Sequence, residues 1–159
     1  VPVPSTQDDL PSLVKSPSGA PVAFRFEGVA GQPAVASVEL RGRSTLVALI
    51  ASHDASSQAQ LKALGIVLRQ HVPRINALAV ALEPRQNRPL LEALVTTLAP
   101  PFAVVQADDE TIAGRGPWKG LHHVPSVVLL DAEGRERWRH IGLADPQVME
   151  RALVELERR

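Results

Sequence analysis

The sequence predicts an α/β domain: one mixed β-sheet with helices on both faces and a β-hairpin at its N-terminal end. Three observations carry this. The apolar runs STLVALI (44–50) and INALAVAL (75–82) are each followed by a helix-period segment, the pattern of buried parallel strands joined by a crossover helix. A third apolar run, SVVLL (126–130), leads instead into the turn residues Asp131-Ala132-Glu133-Gly134 and an alternating stretch, RERWRHI (135–141), which is a hairpin signature. A final helix-period segment follows Asp145-Pro146, a cap with proline at the first helical position.

The elements follow in order. VAFRFEGV (22–29) and VASVEL (35–40) alternate apolar and polar residues around the turn-forming AGQPA, and read as the N-terminal hairpin. The central strand covers 44–52. Behind it Leu61, Leu64, Leu68 and Val72 share one helix face, and Pro73 stops that helix. The strand at 75–82 is its parallel neighbour. Asn87 is placed to cap a helix with core residues Leu90, Leu91, Leu94, Val95 and Leu98, which Pro100-Pro101 ends. FAVVQ (102–106) is a short strand, 108–113 a brief helix, and GRGPWKG (114–120) a loop in which Trp118 reads either as an anchor on the domain or as a partner contact. Arg135, Arg137 and Arg139 form a basic stripe on a water-facing edge strand. In the last helix Met149, Ala152, Leu153 and Leu156 face the core.

With 159 residues, 45% of them hydrophobic, the chain is long enough for one domain with a sizeable core, assigned to 22–159. Residues 1–21, VPVPSTQDDLPSLVKSPSGAP, have the composition of a linker or tether, or of an arm packed on the domain. Seventeen basic residues balance seventeen acidic ones, so nothing global favours nucleic acid or an anionic membrane surface. No apolar run approaches a membrane span. The first residue is Val1 rather than Met, which leaves room for a removed export signal or a tether before it. The chain has no cysteine, so disulfides, thiolate metal sites and thiol catalysis are excluded.

Three segments together resemble the TlpA-like branch of the thioredoxin superfamily, a redoxin-related group. They are Val38-Glu39-Leu40-Arg41-Gly42-Arg43 ahead of the central strand, the junction ASHDASSQAQLKAL (51–64), and His123-Val124-Pro125-Ser126-Val127-Val128-Leu129-Leu130-Asp131 with the later Arg139-His140-Ile141-Gly142. The resemblance spans about residues 22–158. It implies a thioredoxin-like fold and an extracytoplasmic, periplasmic or membrane-tethered setting. It places Asp54 and Ser57 at the two cysteines of the family's CxxC motif, His53 at the preceding aromatic, Leu61 at a leucine of the following helix, and Pro125 at the proline of the cis-proline loop.

A CxxC pair works through a thiolate at a helix N-terminus and a second sulfur that resolves the mixed disulfide. Neither Asp54 nor Ser57 can do this. The plain reading of Asp54-Ala55-Ser56-Ser57 is a well-capped helix, with Asp54 as N-cap or Ser57 capping together with Gln60 in an S-x-x-Q box. The resemblance also implies that the junction lies against the proline loop, which would gather His53, Asp54, His122 and His123 on one patch. Imidazole and carboxylate suit zinc or Cu(II), and Sco-type relatives handle copper near this position; solvated loop histidines are the alternative. His71 reads as a dipole contact at a helix C-terminus and His140 as an exposed hairpin side chain.

The expected function is therefore a non-redox, non-catalytic module that holds a protein or peptide on His53, Asp54, Ser57, His123, Val124 and Pro125, with no cofactor. Metal binding or delivery through the His/Asp patch is a second reading. A sulfur-independent enzyme using Asp54 and a histidine as acid and base is a third.

Overall fold

In the computed structural model, which describes residues 19–158, the apolar runs become the strands of one sheet. The elements are β1 (Arg25–Gly28), β2 (Val35–Ala36), β3 (Ser44–Ile50), α1 (Ala55–His71), β4 (Ile75–Ala81), α2 (Arg88–Leu98), β5 (Ala103–Gln106), α3 (Asp109–Ile112), β6 (Ser126–Leu130), β7 (Glu136–Ile141) and α4 (Pro146–Glu157). Among the described residues the sheet is seven-stranded, in the order β2-β1-β5-β4-β3-β6-β7. β3, β4 and β5 are parallel, and β1 and β6 flank them antiparallel. The mixed sheet and the parallel pairing of the first two apolar runs are as the sequence predicts. Most of the linker or arm expected at 1–21 lies outside the described residues. From Gly19 the chain is already tied to the β6–β7 turn, where Arg135 Nε donates to the Gly19 carbonyl (2.8 Å) and the Val22 N–H to the Gly134 carbonyl (2.9 Å).

Alternation along the central strands builds two cores. Leu46, Ala48 and Ile50 of β3 face Leu61, Leu64 and Leu68 of α1, Leu91 and Val95 of α2, and Met149 and Leu153 of α4. Val47 and Leu49 face the other way, toward Phe26, Trp118, Leu121 and Leu130. Three long helices thus cover one face, and the short α3, the loop after it and the N-terminal hairpin cover the other. Trp118 is the loop anchor: it is buried, with its ring 5.3 Å from Phe24 and 6.3 Å from Phe26.

Several local expectations give way to packing. VASVEL is a strand only at Val35–Ala36; Ser37–Leu40 turns into a 3-10 helix. There the Glu39 carboxylate accepts the Ala36 N–H, and Ser37 Oγ accepts the Phe24 N–H, local bonds that compete with a ladder. Val72 leaves the α1 stripe and is 61% exposed, because the residue before a proline is pushed out of the helical region, and it is extended here (φ −64°, ψ 133°). Asn87 sits at the start of α2 but its side chain caps nothing, since a 3-10 turn (Arg85–Asn87) delivers the chain already curled. The α2 stripe narrows to Leu91 and Val95, with Leu94 and Leu98 at its sides and Leu90 exposed.

β7 is not a simple water-facing edge. Leu129 pairs with Trp138 and Leu130 with Glu136, so Arg137 is the extra residue of a bulge. The bulge puts Glu136 and Arg139 on one face, where two guanidinium nitrogens meet the carboxylate at 2.8 and 3.0 Å, and Arg137 pairs with Asp131 at 3.3 Å. The basic stripe is consumed by these partners. His140 stacks on buried Trp138 (5.9 Å). His71 is also more than a dipole contact: its Nε2 lies 2.7 Å from the Glu150 carboxylate and links α1 to α4.

Candidate functional site

The site stands at the carboxyl end of β3, where the chain leaves the sheet and enters α1. Asp54 is the N-cap of α1. Its Oδ2 accepts hydrogen bonds from the Ser57 N–H and the Ser57 hydroxyl, both 2.9 Å. Ser57 Oγ accepts in turn from the Ala51 N–H (3.1 Å) and is fully buried. A hydroxyl sealed from solvent and donating to a capping carboxylate is a structural group, so no serine nucleophile stands here. The S-x-x-Q box does not form. Gln60 turns inward and bonds the Ala144 backbone with both ends of its amide, Nε2 to the carbonyl (2.9 Å) and Oε1 from the N–H (2.7 Å), which joins the first turn of α1 to the segment before α4.

Asp54→Ala is expected to lower stability by about 1 to 2 kcal/mol through loss of the cap, with Asp54→Asn nearer the parent. Urea denaturation midpoints check this, and an unchanged midpoint for the alanine variant would contradict the capping role.

Beneath the junction is a carboxylate that the sequence reading missed. Glu83, two residues past the end of β4, is 2% exposed, and its two oxygens accept the Ser52 N–H (2.5 Å) and the Ser52 hydroxyl (2.6 Å). Gln106, at the end of β5, donates from Nε2 to the Glu83 carbonyl (2.6 Å). The signal was available in ALEP and VVQA: each places a polar side chain at the carboxyl end of a buried strand, the level at which β3 opens into the junction.

The proline loop lies alongside. β3 and β6 are antiparallel with Leu49 opposite Ser126, so the residues after β3 and those before β6 emerge together. The Val124–Pro125 bond is cis. The Pro125 carbonyl accepts from the Gly142 N–H (2.9 Å), and Ser126 Oγ donates to the His123 carbonyl (2.7 Å). Among the described residues, neither the N–H nor the carbonyl of Val124 has a hydrogen-bond partner. Beside the loop, Ile141 opposite Ser126 is 57% exposed and Leu143 is 47% exposed.

The histidines are at the surface. His53, His122 and His123 are exposed, and the rings of His122 and His123 stack on each other at 4.5 Å. Among the described residues no group of three or more His, Asp or Glu side chains is disposed to hold a metal ion, so the patch expected from His53, Asp54, His122 and His123 is not a ready set of ligands. Asp54 is committed to Ser57 rather than to a histidine. Hydrogen bonding and the charge of Arg85 hold Glu27 below the usual carboxylate range, and Arg115 does the same to Glu110.

No family model matches the chain, and no curated relative does. Solved structures do. A DsbF homologue from Corynebacterium diphtheriae superposes with a TM-score of 0.75, covering 98% of this chain and 97% of that one at 14% identity. The chain has a thioredoxin-like fold. The same thioredoxin-like frame is seen in a thioredoxin-family thiol:disulfide interchange protein from Chlorobium tepidum (TM-score 0.72, 18% identity, 91% and 95% covered). It recurs in the exposed lipoprotein thioredoxin of Streptococcus pneumoniae (TM-score 0.69, 16% identity, 84% and 98% covered). These neighbours are named for thioredoxin or disulfide chemistry, whereas this thioredoxin-like chain has no cysteine. No helix among its described residues is long and apolar enough to cross a membrane.

Proposed function

We propose that this chain is a TlpA-like thioredoxin-fold module that has exchanged sulfur chemistry for recognition. It holds an extended protein or peptide segment on the surface formed by His53, Asp54, Ser57, His123, Val124 and Pro125. Ser57 and Pro125 are buried and serve this surface from beneath, Ser57 by fixing the Asp54 cap and Pro125 by shaping the loop, and the contacts fall to His53, Asp54, His123 and Val124. The observation that carries the reading is the unpartnered Val124 backbone, flanked by exposed Ile141 and Leu143. An unpaired N–H and carbonyl accept a peptide by strand-like hydrogen bonds, and neighbouring apolar side chains supply contact area. Such recognition needs no thiol. The setting is extracytoplasmic, in keeping with the exposed lipoprotein among the structural neighbours. No observation favours the copper or zinc reading, or an acid–base enzyme built on Asp54.

The test is selection from a random peptide library, followed by amide NMR titration of the peptides recovered. Saturable shifts are expected at residues 52–57 and 122–126. Ile141→Asp and Leu143→Asp, both at exposed positions, are expected to weaken binding about tenfold or more. Shifts confined to other surfaces, or no saturable binder, would reject the reading.

A further inference from the structure

We infer that the end of the domain opposite the peptide surface docks on an anionic phospholipid membrane. Three loops meet there, at the amino end of the parallel strands. Ser44 of β3 is paired with Ile75 of β4, so Arg43 and Arg74, the residues just before them, enter the sheet side by side. The Asn76 side chain donates to the Leu40 carbonyl (3.0 Å), and the Gly42 N–H donates to the Ala132 carbonyl of the β6–β7 turn (2.8 Å). Residues 38–43, 72–74 and 131–135 therefore form one continuous surface.

Charge and exposure identify the partner. Basic and acidic residues balance over the whole chain, but not here. Arg41, Arg43 and Arg74 are exposed, and none has an ion-pair partner among the described residues. Arg135 donates to a neutral group, the Gly19 carbonyl. Against these cations stand Glu39, which accepts the Ala36 N–H, and the exposed Glu133; Asp131 is buried and already paired with Arg137. The same loops carry Val38 and Val72, at 63% and 61% the two most exposed large apolar side chains among the described residues, and Pro73 is exposed beside Val72. A polyanion in solution would meet the arginines and leave both valines in water. A membrane surface answers both features: guanidinium groups take headgroup phosphates in paired hydrogen bonds, and apolar tips enter the boundary between headgroups and acyl chains. The chain also enters the described domain at this end, where Gly19 and Val22 are tied to the β6–β7 turn. With this end on a bilayer, the carboxyl end of β3 and its peptide surface face away from the lipid and stay open.

Co-sedimentation of the whole chain with vesicles tests this. Vesicles of phosphatidylcholine with about one quarter phosphatidylglycerol are expected to bind it, pure phosphatidylcholine vesicles to bind it at least about tenfold more weakly, and added salt to weaken the anionic case. Arg43→Gln is expected to lower the partition coefficient about fivefold, and Arg41→Gln, Arg43→Gln and Arg74→Gln together about 100-fold. Val38→Asp and Val72→Asp are each expected to lower it about tenfold. All five positions are exposed, so the amide spectrum of each variant is expected to match the parent away from the substitution. Nanodiscs of the same anionic composition are expected to broaden amides at residues 38–43, 72–76 and 131–135 and to spare 52–57 and 122–126. No binding to the anionic vesicles, equal partition into the neutral ones, parent-like binding by the triple variant or broadening centred elsewhere would overturn the proposal. So would an equal response of the same amides to poly-L-glutamate or an RNA oligonucleotide, which would mark a site for soluble polyanions. Peptide binding is read from amides at the other end of the sheet, so either proposal can fail without the other.

Discussion

Glu83→Leu is expected to lower the unfolding free energy by about 3 kcal/mol or more, and Glu83→Gln by about 1 kcal/mol or less. Among the described residues the carboxylate is the sole acceptor for two donors of Ser52, its N–H and its hydroxyl, at the point where β3 leaves the sheet. Leucine fills similar space but strands both donors in a buried setting, and each stranded group costs about 1 to 3 kcal/mol. Glutamine preserves both bonds. Its Oε1 accepts the Ser52 N–H, and its Nε2 donates to the Ser52 hydroxyl, which can accept as readily as it donates. Urea denaturation of the two variants separates these cases. Hydrogen exchange adds a local readout: the Ser52 amide is expected to lose protection in the leucine variant and keep it in the glutamine one. Equal stability of the two would show that the carboxylate does not hold the junction.

How much of this was legible in the sequence follows the distance over which each feature is decided. β3, β4 and β6 were legible because each is a continuous apolar run covered on both faces, and α1 and α4 because their caps and stripes lie within a few residues of each other. Asp54 and Asp145 cap as their positions imply. Ser57 did not follow its local pattern, because burial under the junction turned its hydroxyl toward Asp54 and Ala51. Gln60 was claimed by Ala144, 84 residues away in sequence, and Ser52 by Glu83, 31 residues away. His71 found Glu150 at a separation of 79. Pairings of this kind leave no periodic trace, since they depend on which loops the sheet brings together. The bulge at Arg137 hides for a related reason: RERWRHI alternates regularly as letters, and only the burial of Trp138 against Leu129 decides where the register slips.

Introducing sulfur is the sharpest test of whether the junction has the geometry of a redox site. Asp54→Cys together with Ser57→Cys is expected to form a disulfide between those two positions and to raise insulin reduction about tenfold or more above background, while the parent chain stays at background. The geometry favours it. Positions 54 and 57 are the N-cap and the first turn of a 17-residue helix, their side chains already touch at 2.9 Å, and the cis Val124–Pro125 loop emerges beside them. A thiolate at position 54 would sit near the partial positive charge of the helix N-terminus, which lowers thiol pKa. Position 57 would supply the buried resolving sulfur. The double substitution also removes the Asp54 cap, so the reduced form is expected to be less stable than the parent by about 1 to 2 kcal/mol, and the oxidised form to regain part of that through loop closure. Mass spectrometry of the oxidised protein, thiol titration and the insulin assay report on the three steps separately. A folded double variant that never forms the disulfide, or forms it without turning over insulin, would mean that this end of α1 differs from a redox site in more than its two side chains.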